Sequence, residues 1–387
     1  MAVRNWLLPE NIEDILPPQA QRIERIRATL LELFRIHGYQ LVIPPMLEYL
    51  ESLLTGTGHD LDLRTFKLVD QLSGRMMGVR ADITPQVARI DAHLMDREGV
   101  ARLCYAGSVL LTRPRGLAST REPLQIGAEI YGHAGIESDL EIQTLLVEAL
   151  AACGISGARL DIGHVAVFRA ICRHGGVGAE LESELYEVLS AKDLPALRAI
   201  SKRLPNTTRK ALLALPELYG DGAMLERARR TLPRYSEIVA ALRSLKVLTR
   251  NGAIPVSVDL ADLRGYHYHS GVVFAAYVPG VAHAVALGGR YDEVGKAFGR
   301  ARPATGFSMD LRDLERAAPH AAGGTAVRAP YSSDPGLAAA IRKLRSGGEI
   351  VAVELPGHAA AAHARPDCDR ELVKRRGKWL VRKLGKS

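Results

Sequence analysis

Four short segments carry side chains able to recognise a small charged molecule. In Arg80-Ala81-Asp82-Ile83-Thr84 a carboxylate and a hydroxyl stand two residues apart, a pairing suited to holding an ammonium group through charge-assisted hydrogen bonds. The same residues also read as a plain helix start, with Thr84 as cap and Pro85 at the first position. In Arg121-Glu122-Pro123-Leu124-Gln125-Ile126-Gly127-Ala128-Glu129, strand alternation puts Gln125, Gly127 and Glu129 on one face and Leu124, Ile126 and Ala128 on the other. An acid and an amide on one face can line a polar pocket, or equally form the wet face of an edge strand. Asp262 to Gly271 gathers Arg264, Tyr266, His267, Tyr268 and His269 between glycines. Arginine grips a carboxylate with two parallel bonds, and tyrosine pairs with an imidazole or hydroxyl. The two histidines lack a third metal ligand nearby and read as ordinary polar residues. Last, Leu287-Gly288-Gly289-Arg290-Tyr291-Asp292 follows an apolar run, and paired glycines let backbone approach a ligand closely.

Other chemistries lack their sequence support. There is no Gly-x-x-x-x-Gly-Lys-Ser/Thr, no Gly-x-Gly-x-x-Gly and no Gly-x-Ser-x-Gly in the chain, so nucleotide-loop and hydrolase readings have nothing to stand on. The four cysteines, Cys104, Cys153, Cys172 and Cys368, are too scattered for a zinc knuckle or a disulfide framework and read as reduced thiols of a cytoplasmic protein. No metal and no cofactor is expected. The chain has 51 Lys+Arg against 43 Asp+Glu in 387 residues, a surplus of +8, and much of it sits between Arg370 and Lys386, read as a solvated basic end. With 5% aromatic residues, stacking platforms for single-stranded nucleic acid are scarce, which disfavours a nucleic-acid partner. Gly265 to Gly289 contains no Asp, Glu, Lys or Arg, yet Pro279-Gly280 and three histidines, His267, His269 and His283, within it favour two buried strands, Val272–Val278 and Ala282–Leu287, over a membrane span.

Elements must bring these segments together. Ile23, Ile26, Leu30, Leu33 and Phe34 predict an amphipathic helix over Gln19–Ile36, closed at His37-Gly38 and followed by a strand Tyr39–Ile43 that Pro44-Pro45 ends. Further strands are expected on either side of Ser73-Gly74, over Arg102–Leu111 and Leu124–Gly132, with a helix over Asp139–Ala152. Val165 to Leu248 is rich in Leu, Ala, Glu and Arg and reads as a mainly helical insertion between strands Leu160–Ile162 and Val256–Val258. Ala317 to Thr325 is the linker candidate; a helix Leu337–Leu344 and strands Ile350–Leu355 and Lys378–Val381 follow.

In this order and spacing the segments resemble the catalytic core of histidyl-tRNA synthetase, a class II aminoacyl-tRNA synthetase, from about Ile12 to Leu314. The resemblance rests on Glu13-Asp14-Ile15-Leu16-Pro17, Gly38-Tyr39 through Pro45 and Glu48, Asp70 to Arg89, Gln125 to Glu129, Arg264-Gly265 onward, Gly288-Gly289-Arg290-Tyr291-Asp292 and Pro303-Ala304-Thr305-Gly306-Phe307. It implies an α+β fold, a class II synthetase-like antiparallel sheet flanked by helices with a helical insertion and a short α/β C-terminal piece. The implied domains are 1–164 and 251–316 for the core, 165–250 for the insertion and 326–387 for the end piece. It also implies a dimer through the core and a pocket for free histidine. There Asp82, Thr84 and Gln125 would face the ammonium, Arg264 the carboxylate, and Glu129 and Tyr268 the imidazole. Asp82 stands where the synthetases have Glu, and His269 where they have a second Tyr.

The departures carry their own implication. The synthetases' Phe-Arg-x-Glu motif aligns with Leu110-Leu111-Thr112-Arg113, and a later phosphate-binding arginine is replaced by Asp313. A carboxylate there opposes polyphosphate binding. A synthetase-like core without those arginines and with a shortened tail resembles the regulatory-subunit family of ATP phosphoribosyltransferase. Members are implied to lack chemistry of their own, to assemble with the short-form catalytic subunit and to take histidine as effector. The residues leave two other readings: an active histidyl-tRNA synthetase using shifted arginines such as Arg113, and a synthetase-like RNA-binding protein using the basic end.

Overall fold

The apolar spacing near the N-terminus does produce one helix, Gln19–Ile36, which buries Ile23, Leu30 and Phe34. The computed structural model describes residues 7–55, 59–114, 116, 119–250, 254–319, 326–356 and 368–384. The chain divides into two compact units, Met1–Pro319 and His320–Ser387. Residues 320–325 of the linker segment read from the sequence lie outside the described residues.

The first unit is organised on a nine-stranded sheet in the spatial order Gln40–Leu41, Ala101–Ser108, Leu124–Tyr131, Ala304–Asp310, Ala286–Arg290, Val272–Tyr277, Arg159–His164, Val256–Asp259, Tyr219–Gly220. It is largely antiparallel; Gln40–Leu41 with Ala101–Ser108, and Arg159–His164 with Val256–Asp259, pair in parallel. Glu129 stands opposite Gly306 and Leu103, and Gly127 opposite Tyr105 and Ser308. Because side chains alternate across a pleat, Ile126, Ala128, Ile130, Phe307 and Met309 point the other way. There they share one apolar core with the helices Gln19–Ile36 and Ile136–Ala152. The opposite face is left with glycines, a glutamate and tyrosines.

The segment 165–248 forms six α-helices, Val165–His174, Ala179–Ser190, Leu194–Ile200, Asn206–Ala214, Met224–Thr231 and Ser236–Leu248, whose Phe168, Leu185, Leu212 and Leu245 belong to that same core. A separate three-stranded sheet pairs Leu47–Tyr49 and Phe66–Val69 with Met76–Val79. Among the described residues no helix is long and apolar enough to cross a membrane.

Three local expectations differ. The predicted strand Tyr39–Ile43 shrinks to Gln40–Leu41, because the chain meets its neighbour only at the sheet edge before Pro44-Pro45. Thr84 does not cap its helix: the helix Thr84–Arg89 starts without a side-chain cap, and the hydroxyl goes to Glu129 instead. The basic end keeps Lys374, Arg375, Lys378 and Arg382 exposed to solvent, as read, but it is folded rather than a loose run. Cys368–Arg375 and Lys378–Lys383 form a hairpin within a four-stranded sheet with Ala326–Ala329 and Val351–Val353. Leu372 is buried there beneath the helix Pro335–Ser346, and Glu371 pairs with Arg328 and Arg382.

Candidate functional site

Glu129 is the centre of the glycine-bearing face and only 1% exposed. The hydroxyls of Thr84 and Tyr105 donate to its Oε1, each at 3.1 Å, and that of Tyr291 donates to Oε2. The Tyr131 hydroxyl lies 3.3 Å from that of Tyr291. Burial pushes the Glu129 carboxyl up to about 8; the three hydroxyl bonds pull against this and the charge of Asp82 adds to it. Burial likewise raises the phenols of Tyr105, Tyr131, Tyr268 and Tyr291 well above the ordinary range, so they stay protonated and able to donate.

The sheet register explains why this arrangement fits. A Cβ on Gly306 would collide with the Glu129 carboxylate, and one on Gly127 with the Tyr105 ring and the Phe307 carbonyl. Glycine at both positions is a steric requirement of the cluster.

Asp82 forms a shelf beside it. Its Oδ1 accepts from the Thr84 backbone N at 3.0 Å and from Gln125 Nε2 at 2.8 Å, while Gln125 Oε1 accepts from the Ile83 N at 2.9 Å. Gln125 therefore holds Asp82 and the turn before the helix.

The loop between Asp262 and Gly271 closes the other side. Arg264 Nε donates to Asp262 Oδ1 at 2.8 Å and Nη1 donates to the Tyr277 hydroxyl at 2.9 Å. Burial works to lower the arginine pKa, but the bonds and charge of Asp262 and Tyr277 prevail and raise it. The Tyr268 ring lies 5.1 Å from that of Tyr291, and its buried hydroxyl has no partner among the described residues. Burial pushes His269 down to about 4, which keeps its ring neutral at physiological pH.

These groups surround a cavity of about 360 Å³ whose lining includes Asp82, Thr84, Glu129, Arg264, Tyr268 and Tyr291. Five of the six residues singled out from the sequence thus share one cavity. The sixth, Gln125, faces a neighbouring cavity of about 600 Å³. Tyr105 and Tyr131 escaped sequence reasoning, since only the strand register reveals which face they join. Tyr291 lay in a segment singled out for its glycines.

The second cavity is lined by Asp313, the position that the resemblance aligns with a phosphate-binding arginine. Asp313 there accepts from His283 Nε2 at 2.8 Å and from Arg316 Nη1 at 3.3 Å. Arg312 is buried and donates to Glu13 at 3.2 Å, and Arg113 is exposed.

Comparison with known proteins adds the lineage. The Histidyl-tRNA synthetase family model matches residues 11–314, and a model described as ATP phosphoribosyltransferase subunit HisZ C-terminal domain matches residues 324–382. A relative from Ralstonia pickettii, named ATP phosphoribosyltransferase regulatory subunit, is 59% identical over 379 residues, covering 98% of each chain. The chain belongs to the ATP phosphoribosyltransferase regulatory subunit family. A Cupriavidus taiwanensis relative of the same name is 58% identical over 97% of this chain and 98% of its own. A solved structure from Bacillus halodurans C is described as an ATP phosphoribosyltransferase regulatory subunit/histidyl-tRNA synthetase. It superposes with a TM-score of 0.83 at 27% identity, covering 93% of this chain and 95% of that one. Histidyl-tRNA synthetase from Nostoc, with a TM-score of 0.77 at 17% identity over 95% of this chain and 91% of its own, shares the class II synthetase-like α+β fold with this regulatory-subunit relative.

Proposed function

We propose that this chain is a non-catalytic regulatory subunit that binds the short-form catalytic subunit of ATP phosphoribosyltransferase, activates it, and returns feedback inhibition when histidine occupies the 360 Å³ cavity. The observation that carries the reading is the buried Glu129 with its three hydroxyl donors, facing the same space as Asp82 and Arg264. Free histidine offers an ammonium, a carboxylate and an imidazole, and each finds chemistry of the right kind here. Asp82 and Thr84 serve the ammonium, with Gln125 acting through Asp82. Arg264 serves the carboxylate by sharing its guanidinium with Asp262, and Glu129 with Tyr268 serves the imidazole.

The absence of chemistry of its own is supported by the neighbouring cavity, where Asp313 is paired with His283 and Arg316. A polyphosphate would have to displace those pairs and meet a carboxylate. Self-association as a dimer through the core is supported by exposed apolar side chains at Ile43 (80%), Leu47 (41%), Val69 (51%) and Met76 (40%), which sedimentation velocity tests. The thiols of Cys104, Cys153 and Cys172, none of them in a disulfide, suit a cytoplasmic setting, and the domain scheme of core, insertion and end piece stands as part of this reading.

The deciding experiment measures phosphoribosyl-ATP formation by a short-form catalytic subunit with and without this chain while histidine is titrated in. A rate increase reversed by histidine is expected. No change in rate, with the two proteins eluting separately, overturns the reading and makes histidine-dependent ATP–pyrophosphate exchange the next assay.

A further inference from the structure

We propose that the helical insertion supplies one wall of the effector cavity, with Tyr186 touching the bound ligand and Arg169 and Glu182 holding the loop that carries Arg264 and Tyr268. The inference rests on the reading of the cavity as a histidine site and extends that site to an element the resemblance left outside it.

Tyr186 lies on the helix Ala179–Ser190 and lines the same 360 Å³ cavity as Glu129. Its ring stacks on Tyr266 with centroids 5.4 Å apart and planes at 25°, and meets His267 edge-on at 5.1 Å. One helical turn earlier, Glu182 accepts the Tyr266 hydroxyl proton in a hydrogen bond. From the preceding helix, Val165–His174, Arg169 Nη2 donates to the carbonyls of Tyr266 at 2.6 Å and His269 at 2.9 Å. The guanidinium also sits 4.7 Å from the Tyr266 ring centroid, and Phe168 packs edge-on against that ring at 5.3 Å.

The placement of these contacts is what matters. Arg264 lies two residues before the first carbonyl that Arg169 grips, and Tyr268 lies between the two. The side chains assigned to the carboxylate and the imidazole therefore hang from a loop whose backbone is fixed by the insertion, while Glu129 hangs from the sheet. A ligand reaching from Glu129 to Arg264 spans both elements. Its binding free energy then depends on their spacing, and occupancy restrains the insertion relative to the sheet. The aromatic wall of Tyr186 adds a flat apolar surface, suited to a planar ring and a short methylene stem.

Two measurements on the full-length chain test this. Histidine is titrated calorimetrically into the wild type, Tyr186→Phe and Tyr186→Ala, and amide hydrogen exchange of the wild type is followed with and without histidine. Tyr186→Phe should bind within twofold of wild type, and Tyr186→Ala about three- to tenfold more weakly. Histidine should slow exchange in Ala179–Ser190 as well as in the loop. Wild-type binding with Tyr186→Ala within twofold and exchange in Ala179–Ser190 unchanged overturns the inference and leaves the histidine site standing. No binding by the wild type overturns the site itself. The exchange result does not depend on any variant folding.

Discussion

Two cavities lie side by side on one sheet face, sharing Arg264, Leu287 and Ser308, yet they are built on opposite principles. Around Glu129 the polar groups are buried, pre-bonded and aimed at a common space. Around Asp313 the charges sit near the surface and satisfy one another: His283 is 44% and Arg316 41% exposed, beside an Asp313 that is 14% exposed. A dry, prearranged cluster can discriminate a small ligand, since each unmade bond there costs dearly. A wet, self-neutralised cluster cannot hold a polyanion without breaking its own pairs. On the proposed function, this difference separates recognition of an amino acid from activation of one.

The largest effect that would break this contrast is expected at Glu129. Glu129→Gln keeps the shape but replaces one carboxyl oxygen by an amide NH2 that faces hydroxyl donors, and histidine affinity should fall about 10- to 100-fold, as when a buried polar group loses its partner; calorimetry reads it directly. The same variant tests the pH dependence. With its carboxyl raised from 4.5 to about 8 in the folded chain, Glu129 holds a proton in the native state that the unfolded state has lost. Its contribution is thus fully present below about 4.5 and declines as pH rises towards 8. Thermal unfolding at pH 5.5 and 8.5 should show the wild type losing more stability on that rise than Glu129→Gln does.

Gly306→Ala comes next. The new methyl meets the Glu129 carboxylate, so displacement of that group should weaken histidine about tenfold and destabilise the chain by about 1–3 kcal/mol. Urea unfolding alongside calorimetry separates the two. Tyr291→Phe removes one of three donors to Glu129 and should cost about 1–2 kcal/mol of stability. An unchanged urea midpoint would show that the cluster is not as tightly bonded as its geometry states. The smallest effect sharpens the contrast from the other side. Asp313→Ala should leave histidine affinity within twofold and stability within about 0.5 kcal/mol, as exposed pairs are worth little.

Much of the Glu129 cavity was legible because strand alternation is a local rule: Gln125 and Glu129 had to share a face wherever the strand lay. Their different roles were not legible. Gln125 is drawn to Asp82 and the Ile83 amide, and Thr84 gives up capping for Glu129, because contacts across 42 and 45 residues outweigh local habit. Tyr105 joined the site only through its register opposite Gly127. The fold shows the same division. The helix Gln19–Ile36 follows from its own spacing, whereas the C-terminal hairpin hides in a run of charges whose stabilising pairs, Arg328–Glu371 and Arg370–Glu349, come from distant strands and turns.

The glycines of the site face have a consequence for how this pocket can change over time. Gly127, Gly289 and Gly306 each stand where a single methyl group would strike a neighbour's side chain or backbone, and every glycine codon is one base from an alanine codon. The cavity's volume is thus inherited as a set of missing carbons, each easily filled by a chance mutation. A lineage that keeps the pocket open is under steady purifying pressure at these positions, whereas one that no longer needs the ligand should lose the space in single steps of one methyl group.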